Sequence, residues 1–408
     1  MFLYNISSFM KKEYSKIKIL RMINTIDPKF GGPAHAIIFS SLALLKQGFK
    51  IDILTCDQEG SNFFKSKKIR MINKGPSVGL FGFSLKFTFW LLKHRHEYDM
   101  FIVHGLWTYS SIIARVLLKK KYFVFTHGQL DPYFKNNFLK RIKKQIYWFL
   151  IEKSNLLNAR SILLTSQGEK NTLEKTFVNM QGIKKKIIKY GIIKPILNKK
   201  IILKKFYLKF PNLKNKDFYL FLGRFHEKKG CDIIIDSVKK IKNFKKIILF
   251  AGPQSGSKYE RKIKSLVKEE NLERKILFSN ALFGEIKWGA ILASKAMLLA
   301  SHGENFGVSL AESLCVGKPV LTTYKVNIYK EILESKAGFI AKNDATSFAK
   351  ILKKFSRLNK NSLKKLSNNS LYCFKKNFDL LSKKNSLGNF LKNNFSKMQT
   401  HKTICNEI

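Results

Sequence analysis

Along the chain, short apolar runs rich in Ile, Phe, Val and Leu alternate with longer segments of helical period, which is the pattern of strands followed by helices. Lys18 to Ile26 reads as a strand, Ala34 to Gln47 as a helix closed by Gly48, and Lys50 to Thr55 as a second strand. Further strands are predicted at Met100–Val103, Tyr122–Thr126, Ser161–Thr165 and Lys186–Lys189. A Lys-rich, turn-prone stretch near residues 195–216 separates this series from a second one. There the pattern predicts strands at Phe218–Leu222, Lys246–Ala251, Lys275–Phe278, Ala296–Ala300 and Pro319–Thr323. Helices at Cys231–Ile241, Tyr259–Glu270, Glu285–Ala293, a segment through Glu312, and Tyr329–Ser335 lie between and after them.

Strand-helix alternation with near-continuous apolar strands implies parallel sheets covered on both faces. At 408 residues the chain exceeds what one hydrophobic core usually serves, so the two series read as two doubly wound α/β domains. The expected division is an extension at 1–16, domains at 17–197 and 198–375, and a tail at 376–408 that either packs back on the first domain or is partly disordered. Sheets of this kind bind ligands beyond the carboxyl ends of their strands, so candidate chemistry is sought in the loops that follow strands.

Four such loops stand out. Gly31-Gly32-Pro33 comes between the first strand and the first helix, where bare backbone and a helix amino end suit an anion. Arg224 and Lys229 lie in Gly223–Gly230 after the strand that opens the second series; a planar guanidinium and a point charge suit a diphosphate and its developing leaving-group charge. Ser301–Glu312 carries Glu304 and Glu312 on either side of Asn305-Phe306-Gly307, a turn that starts a helix. Carboxylates accept hydrogen bonds from vicinal sugar or ribose hydroxyls, while backbone N–H groups at a helix start suit phosphate oxygens. Only 27 residues of the chain are acidic, so this placement is informative. Finally, His127-Gly128 and His104-Gly105 occupy matching places after two strands of the first series, each as a ligand-facing or a structural histidine.

Composition changes this picture little. Apolar residues make up 45% and aromatics 13%, enough for two packed cores. The formal net charge of +50 attracts polyanions, yet Lys, Asn, Ile and Phe are abundant nearly everywhere, as a coding bias would also produce. No basic and aromatic interleaving or reading motif accompanies the charge, so a specific nucleic-acid partner is not expected. Five dispersed cysteines without metal-ligand spacing fit a reducing cytosol, and no apolar run reaches the length of a spanning helix. Asp-x-Asp, Gly-x-Ser-x-Gly, HExxH and Walker patterns are absent, which leaves diphosphate chemistry without a bound metal or cofactor as the expectation.

Glu304-x7-Glu312 followed by Gly317-Lys318-Pro319-Val320, the Gly223-Arg224-x4-Lys229-Gly230 element and the early Gly31-Gly32 resemble the family 4 (group 1) retaining glycosyltransferases of the GT-B fold, from about residue 17 to 375. His127-Gly128-Gln129-Leu130-Asp131-Pro132, Thr165–Glu169 and Val326–Tyr329 look like a subgroup that builds bacterial surface polysaccharides. Tyr190-Gly191-Ile192-Ile193 departs from the Asn-Gly-hydrophobic-Asp of many members. The resemblance implies two Rossmann-like domains facing a central cleft, acceptor side first and donor-nucleotide side second. It implies a retaining, metal-independent hexosyltransferase that takes a UDP- or GDP-linked sugar to a glycan or glycolipid acceptor. Arg224 and Lys229 would hold the diphosphate, Glu312 the ribose, and Glu304 the transferred sugar. Asn305, Phe306 and Gly307 would hold sugar and phosphate, Gly31 and Gly32 would close over the diphosphate, and His127 would sit near the sugar. A sugar-nucleotide epimerase or hydrolase on the same fold is the alternative; a nucleic-acid-binding protein is the third reading.

One segment bears on location. Leu139, Ile142, Ile146, Phe149 and Leu150 share one helical face with Lys140, Arg141, Lys143 and Lys144 around it, which suits either an anionic membrane surface or a core helix with a basic outer face. The expectation is a cytoplasmic protein, peripheral at the inner face of the membrane.

Overall fold

The computed structural model describes residues 17–27, 32–79, 81–130, 138–177, 180–188, 190–382 and 387–406. They divide into two compact units, 17–190 with 380–406, and 191–379. Each is built on one parallel sheet.

The first unit has strands β1 (Lys18–Ile23), β2 (Lys50–Thr55), β3 (Ile69–Asn73), β4 (Met100–His104), β5 (Tyr122–Phe125), β6 (Ser161–Leu164) and β7 (Lys185–Ile187). Their order is β3-β2-β1-β4-β5-β6-β7, all neighbours parallel. β1, β4, β5 and β6 are buried almost throughout, as strands covered on both faces must be. The exception in kind is Arg21, wholly buried at the middle of β1.

The second unit contributes β8 (Phe218–Leu222), β9 (Ile247–Ala251), β10 (Ile276–Ser279), β11 (Ala296–Leu299), β12 (Val320–Thr323) and β13 (Gly338–Ala341) in the order β10-β9-β8-β11-β12-β13. In both sheets the direction of winding reverses beside the first strand, between β1 and β4 and between β8 and β11. That reversal opens a crevice at the carboxyl ends of the two strands.

The stretch predicted as turns near 195–216 contains the helix Lys199–Lys209, capped by the Asn198 side chain on the Ile201 N–H. Ile202 and Phe206, one turn apart, are buried on it, and a side chain at Gly289 of helix Gly284–Ala293 would collide with Phe206. Burial of that one face outweighs the lysines that make the segment read as a turn. The tail contains the helix Leu387–Asn406, where Phe390 meets Phe123 of β5 edge-on and Lys392 lies over the Phe49 ring. Among the described residues no helix is long and apolar enough to cross a membrane.

Candidate active site

The second unit gathers its motif residues on the loops that follow β8, β11 and β12. The β8 loop runs from Gly223 through a short helical turn, Glu227–Lys229, to Gly230, which precedes helix Cys231–Lys240. Gly230 has φ +64°, and a Cβ there would lie 2.1 Å from the carbonyl oxygen of Ala300 at the end of β11. Only glycine permits that approach, which presses the β8 loop against the start of the β11 loop. His302 N–H donates to the Lys228 carbonyl at 2.9 Å and continues the seam.

Across this seam Lys229 Nζ donates to Glu304 Oε2. The ammonium comes from the β8 loop and the carboxylate from the β11 loop, so the pair straddles the reversal of strand order. Burial alone would raise the Glu304 pKa. The Lys229 charge and hydrogen bond, the Lys228 charge and the Gly307 N–H outweigh it, and the net shift is downward. Glu304 is therefore a carboxylate at neutral pH. Its backbone is fixed by the β12 loop: Glu304 N–H donates to the Lys325 carbonyl at 3.0 Å, and Asn327 N–H donates to the Glu304 carbonyl at 2.9 Å. Asn327 Nδ2 also reaches Asn305 Oδ1 at 3.3 Å.

Asn305 and Phe306 lead into Gly307, whose φ of +72° is the left-handed turn from which helix Val308–Leu314 starts. Phe306 is buried and meets Phe378 edge-on, so it anchors the turn beside half-buried Asn305. Glu312, buried inside that helix, accepts from Lys287 Nζ at 2.6 Å. Lys287 carries no sequence signal: it is one lysine among many until the fold brings helix Gly284–Ala293 beside Glu312. Arg224 stands apart from these pairs. Its exposed side chain lines an open pocket of about 450 Å³ with His226, Ser255, Ser257, Lys258 and Tyr259. Lys229 and Glu304 thus touch, Glu312 and Arg224 occupy separate positions on loops and helices of the same sheet edge, and no direct contact joins all four.

In the first unit, Gly31 lies outside the described residues and Gly32 is the first residue of helix Gly32–Lys46, not part of the preceding loop. Pro33 then occupies the second helical position, where its missing N–H has no intrahelical partner to lose. A side chain at Gly32 would meet nothing within 4 Å. His127 follows β5 with φ +48°, a left-handed conformation for a non-glycine residue. Its neighbours hold it there: Thr126 Oγ1 and Gly128 N–H both donate to Glu169 Oε1, while Thr165 N–H and Oγ1 donate to Glu169 Oε2 at 2.8 and 3.0 Å. Two sequence motifs that read separately are one hydrogen-bonded unit. His104, the last residue of β4, brings Nδ1 to 2.9 Å from His127 Nε2. Burial, then the Arg21 charge, lowers the His127 pKa to about 3.

Residues 204–371 match the family described as glycosyl transferases group 1, and residues 30–189 match glycosyltransferase family 4. Only 1–29, 190–203 and 372–408 fall outside both matches. An uncharacterized glycosyltransferase of Methanocaldococcus jannaschii is 25% identical over 253 residues, 60% of this chain and 61% of that protein. The alignment thus spans about six-tenths of the relative's length. Among solved structures, Anabaena HepE in complex with UDP and glucose superposes with a TM-score of 0.72 at 14% identity, over 93% of this chain and all of that one. WaaG, a glycosyltransferase involved in lipopolysaccharide biosynthesis, superposes with a TM-score of 0.65 at 15% identity, over 88% of this chain and 95% of that one. With its two parallel-sheet Rossmann-like domains, the chain belongs to the group 1 glycosyltransferases of the GT-B fold.

Proposed function

We propose that the protein is a retaining, metal-independent hexosyltransferase that moves a sugar from a UDP- or GDP-linked donor to a glycan or lipid-linked acceptor in bacterial surface polysaccharide synthesis. The observation that carries this is the Lys229–Glu304 pair at the reversal of strand order, with Arg224 and Glu312 on the same sheet edge. Arg224 and Lys229 are donors only, and oppose the charge that develops on a diphosphate as the anomeric C–O bond breaks. Glu304, kept ionised by Lys229, accepts from hydroxyls of the transferred sugar; Glu312 accepts from the ribose. The acceptor oxygen bonds to the anomeric carbon on the face the diphosphate leaves, and a diphosphate oxygen takes the acceptor's proton. No protein nucleophile enters this balance. The UDP seen with HepE and the lipopolysaccharide role of WaaG support the donor and pathway by likeness.

A membrane-facing acceptor is supported by helix Phe138–Tyr147 and the π-helical turn Trp148–Glu152 that continues it. Ile142, Ile146, Phe149 and Leu150 are 41, 54, 54 and 71% exposed, with exposed Lys143 beside them, while Trp148 points into the core. The apolar row is therefore outside the core, which favours the membrane-surface reading of this segment. Leu139, Lys140 and Arg141 have side chains outside the described set.

The test is incubation with a panel of nucleotide sugars, with and without a polyprenyl-linked or lipopolysaccharide-core acceptor, with and without EDTA. One donor should stabilise the protein by about 2.7 kcal/mol at a hundred times its dissociation constant, unaffected by EDTA. Nucleoside diphosphate should be released only with acceptor, and proton spectra of the product should show the donor's anomeric configuration. An altered free sugar nucleotide without acceptor would mean an epimerase, and inversion would defeat the retaining assignment.

A further inference from the structure

Arg21 is a cation in the middle of a buried strand, and no carboxylate is among its hydrogen-bond or ion-pair partners in the described residues. Leaving such a charge inside is costly unless it serves a purpose. Its Nη1 donates to the Ile37 carbonyl at 3.1 Å and to Ser41 Oγ at 2.8 Å, both on helix Gly32–Lys46. Its Nε and Nη2 lie 3.2 and 2.9 Å from His104 Nε2.

A guanidinium can only donate, so His104 Nε2 must be bare and the ring's hydrogen must be on Nδ1. That Nδ1 is 2.9 Å from His127 Nε2, which must therefore accept. The hydrogen of His127 is left on Nδ1, where no described residue takes it. The rings are held in a stack, with centroids 5.1 Å apart between the histidines and 5.2 and 5.6 Å from Phe125.

We infer that Arg21 is a positioning residue which, through His104, fixes His127 as a neutral imidazole with its hydrogen on Nδ1, a fixed donor in the loop that follows β5. Only its kinetic test rests on the proposed function. Protonating either ring would put a second cation against Arg21, and the energetics agree: burial first, then the Arg21 charge, depress His127 to about 3 and His104 well below the ordinary imidazole value. The charged and titratable groups facing His127 are Arg21 from β1, His104 from β4, Tyr190 edge-on at 6.3 Å, and Glu169 on the flanking backbone. The loop after β5 would thus present the same donor throughout the neutral range, whereas a free histidine would change charge near pH 6.5.

The first test needs no ligand. Long-range proton–nitrogen spectra of the full chain labelled with ¹⁵N-histidine, assigned with His104→Gln and His127→Gln, should show both rings neutral with hydrogen on Nδ1 from pH 5.5 to 8. A hydrogen on Nε2 of either ring, or a midpoint near 6.5, overturns the inference. The second test compares Arg21→Met with wild type in the transfer reaction. The variant should keep donor stabilisation within about twofold in affinity, lose at least about tenfold in kcat, and acquire an acid-side fall absent from wild type. Arg21→Lys, which keeps the charge, should remove that fall. A variant that is merely less stable, with an unchanged pH profile, overturns the inference. Should Arg21→Met not fold, His104→Gln breaks the relay at its middle and is judged by the same profile. If no donor stabilises the wild type, the proposed function fails, and the spectra alone decide whether the relay exists.

Discussion

Lys229→Met is the most informative single perturbation of the second unit, because methionine keeps the stem's packing and removes only the ammonium. Breaking a fully buried ion pair costs about 3–5 kcal/mol, since the surviving charge is left without a partner. Here the side chains of Lys229 and Glu304 retain 23% and 18% exposure, so solvent shares the load and about 2 kcal/mol is expected at pH 8. For a unit of this size that lowers its melting temperature by roughly 4–8 °C. The pH dependence is the sharper part. In wild type the Glu304 pKa is depressed, so its contribution is present above the ordinary carboxylate value and is lost as pH falls through the depressed one. Without Lys229, burial prevails and the pKa is raised. The contribution is then fully present below the ordinary value of about 4.3 and is lost as pH rises through the folded one. Melting curves by circular dichroism should therefore show the variant's deficit largest near pH 8 and shrinking toward pH 4.5. Lys229→Met/Glu304→Gln should recover much of the loss, since a neutral amide needs no counter-charge. An equal deficit at every pH, or no recovery in the double variant, would refute the reasoning.

Other expectations follow from single contacts. Gly230→Ala combines a left-handed φ with a Cβ 2.1 Å from the Ala300 carbonyl oxygen; urea unfolding should show a loss of at least about 2 kcal/mol, and donor binding should weaken with it. Arg224→Ala touches only an exposed side chain, so stability should hold while nucleoside diphosphate affinity falls by roughly tenfold in calorimetry. Glu152 is wholly buried, with one oxygen accepting from Trp107 N–H at 3.1 Å and the other unpartnered, and burial raises its pKa to about 7. Wild-type stability should thus decline from about pH 4.5 to 7 through this group, and Glu152→Gln should flatten that decline in melting curves across the range.

The sheets were legible because nearly every strand is buried on both faces and reads as an apolar run. β2 and β8 occupy the residues the pattern predicts, Lys50–Thr55 and Phe218–Leu222. β3 and β13 were not, since Ile69–Asn73 and Gly338–Ala341 are edge strands with several half-exposed positions and no continuous apolar run. Helix Lys199–Lys209 was hidden because Ile202 and Phe206 signal their burial only once helix Gly284–Ala293 packs on them. At the candidate site, residue type and loop position sufficed to single out Lys229 and Glu304, which the fold brings into contact. They could not supply Lys287, which becomes meaningful only beside Glu312, nor Arg21, whose position inside a strand reads as a surface residue of a basic chain. The Glu169 carboxylate that joins the β5 and β6 loops lies in a motif legible in the sequence, but its β5-loop partners, Gly128 and Thr126, are 41 and 43 residues away.

The central claim is that this chain holds a nucleotide sugar by its diphosphate on Arg224 and Lys229, with Glu312 on the ribose and Glu304 on the sugar. A crystal structure with UDP or GDP, chosen by whichever gives thermal stabilisation, addresses it directly. The account predicts phosphate oxygens within hydrogen-bond distance of the Arg224 guanidinium and Lys229 Nζ, and ribose hydroxyls on the Glu312 carboxylate. A nucleotide bound elsewhere, or one whose diphosphate touches neither cation, would contradict it.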